Sequence, residues 1–554
     1  MMLRFAGLFG IFLSSIFIAT SDCHGEEETP DLSAQWRQYL STQFPAEITE
    51  VKVDGSRVLV RGTLAPGRDG QKLVEIEPHH SSLEITKWDR TYSVSTNEDG
   101  RFEVTLNRTD QGYDRIYSRW AVVAEGEQPA NRKLLSSARY AADVSSAAKW
   151  PEVKRQRPKS AKGMGGVWLM HDLNDLVELG VHNITLNLML ENLLQVEGTS
   201  SHRVDYGGET FYMRESHVRQ LDEAITFAWK NDIVVSVIIL IPRKSRETEI
   251  GRRMTHPDAV DGHYSMANLT SREGANTYAA LMRFLAERYG HPEGPHGRIT
   301  HWIIHNEVNS GWIWTNSGKK DMQSYLDEYD RSMRLVYHSA RAFNPEAEVF
   351  ISLDHFWNQV HRDAPGFYST RELMEQLVKR SEREGDYQWG VAHHPYPQNL
   401  RDPKVWLDTQ PTDDYDTPKI TFYNIEVLDR WMQEPENLYQ GKPRTVLLSE
   451  QGFDTPPQAD GEDLQAAALV YAWNKIKDLP TVEAKHYHRW IDHEHEGGLL
   501  LGLWTVRPGS ITLPLAKKKS WSVFQALDTP EEKEVNRFAR PILGAVIWDR
   551  FYED

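Results

Sequence analysis

With 554 residues and 40% hydrophobic content, the chain has ample material for a core and is too long for one small domain, so two domains are expected. A net charge of -17 excludes a binder of nucleic acid or anionic lipid, which needs clustered Lys and Arg, and favours a neutral or cation-tolerant substrate. The single cysteine excludes an internal disulfide.

Residues 1–25 have the layout of a secretory leader, with Arg4 ahead of an apolar run from Phe5 to Ala19 and a polar stretch after it. That run is too short to span a bilayer comfortably, and no later stretch approaches about twenty uninterrupted apolar residues, so no stable membrane insertion is expected. Cys23 lies at the leader's edge without the small and aliphatic residues that precede a lipid-attachment cysteine. A secreted or periplasmic protein follows, and residues 26–46 read as a linker.

Between residues 47 and 145 short alternating runs succeed one another: EITEVKV, RVLVRGTL, KLVEIEP, SLEITKW, RTYSVST, RFEVTLN and RWAVVAE. Turn dipeptides such as Asp54-Gly55 and Asp99-Gly100 divide them, and no helical stripe intervenes, so the segment predicts a small all-β sandwich. Trp88, Tyr92 and Trp120 have the flat rings that stack on sugars, but core or interface packing is the plainer expectation for them.

From residue 146 to 554 the pattern changes to helices alternating with short, continuously apolar strands. Such strands are buried on both faces, and helical crossovers between them imply a parallel sheet. Counting a weakly marked first strand near Ser160 to Gly163, eight units occur, which predicts an α/β fold, a closed (β/α)8 TIM barrel. An open doubly wound sheet fits less well, because no Gly-rich phosphate turn follows an early strand, and no redox cofactor is expected.

In such a barrel chemistry collects at the carboxyl ends of the strands. Those positions carry Asn187 and Glu191, then Pro242-Arg243, His305-Asn306-Glu307, Asp354-His355, His393-His394-Pro395-Tyr396, Ser449-Glu450-Gln451 and Trp490-Ile491-Asp492. Glu307 and Glu450 close strands 4 and 7, on roughly opposite sides of the mouth. Two carboxyl groups about 5 to 5.5 Å apart suit retaining glycoside hydrolysis, provided their surroundings give them different protonation states. Trp312 and Trp314 are expected to wall Glu307 and raise its pKa, and Tyr396 to donate to Glu450.

The motifs WIIHNEVN, HHPYP and LLSEQGF resemble those of the clan A glycoside hydrolases, retaining (β/α)8 enzymes with Asn-Glu closing strand 4 and Glu closing strand 7. The resemblance implies Glu307 as acid/base, Glu450 as nucleophile and Asn306 as partner of the sugar 2-hydroxyl. It also implies His394 and Tyr396 after strand 6 as site residues, and Trp490 as a floor beneath the sugar. Asp354, His355, Asp492, Trp312 and Glu191 are further candidates for contact with a polysaccharide or oligosaccharide substrate. Taken whole, the chain is similar to a secreted bacterial family without an assigned function, so no particular sugar carries over.

Two other readings compete. One is a barrel that binds carbohydrate without turning it over. The other is a metal-dependent hydrolase built on His486, His488, His493 and His495 with Asp492, Glu494 and Glu496, although their spacing matches no closed zinc motif and no metal ligand is assigned.

Overall fold

The computed structural model describes residues 31–552 except 66–69, 127–130, 168–171, 196–197, 199, 494 and 512. The expected leader and Cys23 therefore lie outside the described residues. The segment expected as a linker carries the helix Leu32–Ser41, capped by the Asp31 side chain and burying Trp36 and Tyr39. Its signal was present in the sequence: a capping Asp, then aromatics three residues apart on one helical face.

The all-β region is built mainly on two antiparallel sheets, with the short pair Thr109–Asp110 and Tyr113–Asp114 beside them. Glu47–Asp54, Arg57–Thr63 and Arg101–Asn107 form one, and Arg139–Tyr140, Arg119–Ala124, Gln71–Ile76 and Arg90–Ser93 form the other, with Lys133–Leu134 also paired to Arg119–Ala124. Val51, Val53, Val58 and Val60 from the first share a core with Leu73, Trp120 and Val122 from the second. The opposite face of the second sheet is buried too, because Val74, Ile76, Ala121 and Val123 pack against Trp88 and Ala138. SLEITKW is not a strand; it folds as successive turns, and the Trp88 indole donates to the Ser81 carbonyl at 3.2 Å. Trp88 and Trp120 are buried, and the Tyr92 hydroxyl donates to Glu75 at 2.7 Å, so these rings serve packing and form no sugar platform.

Eight parallel strands close into a barrel: Lys162–Met164, Asn183–Met189, Val234–Leu240, His301–Ile304, Glu348–Leu353, Trp389–His393, Val446–Gln451 and Val482–Tyr487. They are numbered 1 to 8 below. Alternate residues point inward. Ile238, Ile303, Phe350, Ala392, Leu447 and Ala484 fill the barrel centre, while neighbours such as Trp302, Ile351 and Val391 face the helices. Gly390 is required by this filling, since a Cβ there would lie 2.4 Å from the Phe350 ring and 2.5 Å from the Thr445 carbonyl. Arg155 closes the base by bridging Glu348 at 3.0 Å and Glu483 at 2.6 Å.

One insertion was not anticipated. After strand 2 the chain builds a three-stranded antiparallel sheet from Leu194–Gln195, Arg203–Tyr206 and Glu209–Met213 before the helix Glu215–Lys230 begins. Among the described residues no helix is long and apolar enough to cross a membrane.

The two regions are joined through a buried polar knot. Glu384, the last residue of the helix Thr370–Glu384, accepts from Tyr39 at 2.8 Å, Ser82 at 2.7 Å and Arg119 at 2.9 Å. All four side chains are buried, so the knot satisfies groups that neither region could bury alone.

Candidate active site

The mouth of the barrel holds a cavity of about 490 Å³, within the range usual for small-molecule sites. Glu307 and Glu450 both line it, together with Asn306, Tyr264, Trp314 and Asn187. Glu307 reaches it because the chain breaks sharply after strand 4: His305 and Glu307 both adopt left-handed backbone, with φ of 62° and 37°. For residues other than glycine such conformations cost on the order of 1–3 kcal/mol each and persist only where the surroundings over-determine them. The restraint comes from strand 5 and from the loop after strand 4, with the Glu307 amide donating to Ser352 Oγ at 3.0 Å and the Thr315 hydroxyl donating to the Asn306 carbonyl at 2.6 Å.

The two carboxyl groups sit in different surroundings. Burial pushes Glu307 up to about 7, working against a hydrogen bond and charge from His394 and aided by Asp354 and Glu450. Glu450, on strand 7, accepts a hydrogen bond from the Tyr396 hydroxyl at 3.1 Å. Glu450 acts on Glu307 as a neighbouring charge from the same cavity.

His394 is not positioned as a sugar ligand. It is fully buried, its Nδ1 lies 2.9 Å from Glu307 Oε1 and its Nε2 lies 3.1 Å from Ser449 Oγ. Both ring nitrogens are thus committed to protein, and the imidazole orients the Glu307 carboxyl instead. Asn306 differs: it faces the cavity and its side-chain amide makes no hydrogen bond to a described residue, which leaves it available to a hydroxyl.

Other sequence candidates fall outside the cavity wall. Strand 8 ends at Tyr487, three residues before Trp490, which is buried with its N–H donated to Asp175 at 3.1 Å. His488 and Arg489 take the cavity positions expected for that tryptophan. Trp312 donates to Asp261 at 3.1 Å, while its neighbour Trp314 lines the cavity, stacked on His263 at 4.9 Å. Asp354 accepts from Asn309 and Ser310, both at 2.5 Å, and so braces the loop after strand 4. His355 is buried and stacks on Phe356 at 4.5 Å. Asp492 is paired with Lys518 at 2.7 Å, and Glu191 accepts from Ser245 outside the cavity.

The segment 486–496 is spread out as well. His486 is buried in the barrel interior, and Glu496 lies against His488 at 3.5 Å and bonds Arg489. Although burial opposes it, these two partners hold the Glu496 carboxyl down at about 2. Glu494 lies outside the described residues. The described side chains of the segment do not converge as one ligand set.

Tyr264, Gln220 and Arg489 line the cavity without having been expected there, and His488, expected only as a metal ligand, lines it too. Tyr264 and Arg489 come from loops after strands 3 and 8, where no periodicity places a side chain, and Gln220 comes from the helix Glu215–Lys230. The Trp314-His263 stack required two loops to be brought together by the fold.

A model described as a family of unknown function, DUF5722, matches residues 154–551. No curated protein matches the chain in sequence. Among solved structures, a family 39 glycoside hydrolase from the gut symbiont Bacteroides cellulosilyticus WH2 aligns with a TM-score of 0.44 at 15% identity, over 87% of this chain and 83% of that one. A monomeric beta-xylosidase from Caulobacter crescentus CB15 aligns with a TM-score of 0.41 at 17% identity, over 68% and 69%. A family 1 beta-glucosidase from Thermotoga maritima aligns with a TM-score of 0.38 at 13% identity, over 64% and 84%.

Proposed function

We propose that this chain, which belongs to the family of unknown function DUF5722, is a retaining glycoside hydrolase that cleaves β-glycosidic bonds of a polysaccharide or oligosaccharide. The observation that carries this reading is the placement of Glu307 and Glu450 in one cavity with unlike surroundings. A carboxyl raised to about 7 keeps a proton to give near neutrality, whereas the other faces the same cavity with a phenolic hydroxyl donating to it.

In the first step the Glu450 carboxylate attacks the anomeric carbon while Glu307 delivers its proton to the departing glycosidic oxygen. The bond to that oxygen breaks, and an ester between the sugar and Glu450 forms. Glu307, now ionised, takes a proton from water whose oxygen attacks the same carbon; the ester breaks and both carboxyl groups return to their starting states. His394 holds the Glu307 carboxyl on the side from which the proton is passed, and Asn306 offers its amide to a hydroxyl beside the reacting carbon. The leader-like first 25 residues support action outside the cytoplasm, where polysaccharide is met.

A panel of polysaccharides with product analysis tests the activity. Replacing Glu450→Gln is expected to lower kcat by at least roughly a thousandfold, because the attacking group is removed and the fold is left intact. If the variant cleaves as fast as the parent, Glu450 is not the nucleophile and the two-carboxylate mechanism fails.

A further inference from the structure

A second cavity among the described residues lies away from the barrel mouth and shares no residue with it. It is a groove of about 880 Å³ formed where the helix Leu32–Ser41, the start of the first β-strand and the last turns of the helix Thr370–Glu384 meet. Its charged lining consists of Arg37, Arg139, Lys379 and Arg383 against Glu47 and Glu382, four cations to two carboxylates. The chain as a whole has 63 Lys and Arg against 80 Asp and Glu, so the groove reverses the sign of the molecule that carries it.

Two of those cations have nothing among the described residues to neutralise them at contact distance. Arg139, on the edge strand Arg139–Tyr140, is only partly exposed and makes no side-chain hydrogen bond or ion pair among the described residues. Lys379 on the facing helix likewise makes none among the described residues. Burial draws the Arg139 guanidinium down from its ordinary value, with Glu47 acting the other way and Arg334 adding to the fall, so a further anion at contact distance would be favoured there. Arg383 is already fixed, bonded to the Thr42 carbonyl and lying 5.0 Å over the Phe44 ring, so part of the groove is ordered before anything binds.

We infer that this groove is a second binding site, for an acidic polysaccharide whose carboxylate or sulfate groups pair with Arg139 and Lys379. The charge match stands on the groove alone; the choice of a glycan as carrier of those anions rests on the glycosidase reading above. A polymer fits better than a free anion because the cations are contributed by separate elements along an extended groove, more than one small ion would fill. Such a site holds a long chain on the flank of the barrel while another part of it enters the mouth, raising the effective concentration of cleavable linkages.

Binding is measured by calorimetry and by retardation in gels that contain polymer, using the full chain carrying Glu450→Gln so that no turnover intervenes. Polygalacturonate and chondroitin sulfate are expected to bind at low salt and to weaken steeply as salt is raised, while neutral dextran does not bind. Adding Arg139→Ala with Lys379→Ala is expected to weaken binding of the acidic polymers by about tenfold or more, with the thermal transition unchanged. An undiminished affinity in that variant, or the absence of binding by every acidic polymer, overturns the site. Equal binding of poly-glutamate overturns the glycan assignment. Cleavage of short neutral oligosaccharides by the Arg139→Ala, Lys379→Ala protein, with Glu450 intact, is read separately and reports on the barrel mouth, so failure of either reading is recognised without the other.

Discussion

Glu307 is held against its own solution chemistry. Its folded pKa of about 7 lies above the ordinary 4.5, so between those values the folded state binds more protons than the unfolded one and stability falls as pH rises. Glu307→Gln removes that titration. The variant is therefore expected to be inactive yet more stable than the parent by up to about 3 kcal/mol above pH 7, with the advantage vanishing below about pH 4.5. Denaturant unfolding at a series of pH values checks this; equal stability at pH 8 would mean that the carboxyl is not strained. Both glutamates were legible in the sequence because each stands at or just beyond the end of an apolar run, a position that periodicity exposes. His394 was legible as a site residue but not in its role, since its contact with Glu307 spans 87 residues and only the closed barrel brings the two together. Trp490 was misplaced for a related reason: in AKHYHRWI no turn residue follows the last strand residue, Tyr487, so nothing in the pattern marks where the strand stops.

At the scale of the element, strand 8 carries a burden unrelated to catalysis. Lys485 points from it into the layer between strand and helix, fully buried over the rings of Phe422 at 5.6 Å and Tyr487 at 5.4 Å, and desolvation lowers its pKa to about 7. For a lysine so depressed the unfolded state holds the extra proton between pH 7 and about 10.4, so the cost is full below pH 7 and is relieved as pH rises through that window. Lys485→Met is expected to stabilise the protein by a few kcal/mol at pH 7, with a gain that shrinks toward pH 10; a variant that is less stable at pH 7 would show that the ring contacts outweigh desolvation. The barrel strands themselves were the most readable elements, because burial on both faces leaves an unbroken apolar run that few other structures produce. The three-stranded insertion after strand 2 was not, since its alternation is short and mixed with polar residues, as in RVDY.

For the whole molecule the knot around Glu384 makes the β-region and the barrel one cooperative body. Burial works against its charge, but Arg119 and Arg380 hold the Glu384 carboxyl below the ordinary range. That contribution is present above the unfolded carboxylate pKa and is lost as pH falls through the lower folded value. Glu384→Ala leaves the buried Arg119 without its closest counter-charge and is expected to destabilise the molecule by about 3–5 kcal/mol, seen as a lowered midpoint in a single transition. Two separated transitions in the parent protein would contradict the coupling. The order of the two regions was readable from the change of period near residue 146, but their union was not, because it depends on four polar residues scattered from Tyr39 to Glu384. The loops after strands 3, 4 and 5 are sewn together by main-chain bonds, His263 to Ile313 at 2.7 Å, Trp312 to Gly366 at 2.8 Å and Tyr368 to Asn309 at 2.8 Å. One rim of the mouth is consequently a fixed jetty, and Glu307 is moored to it. Amide exchange along residues 309–316 should accordingly be slow with or without sugar present, and whatever yielding admits a bulky chain has to occur on the opposite shore.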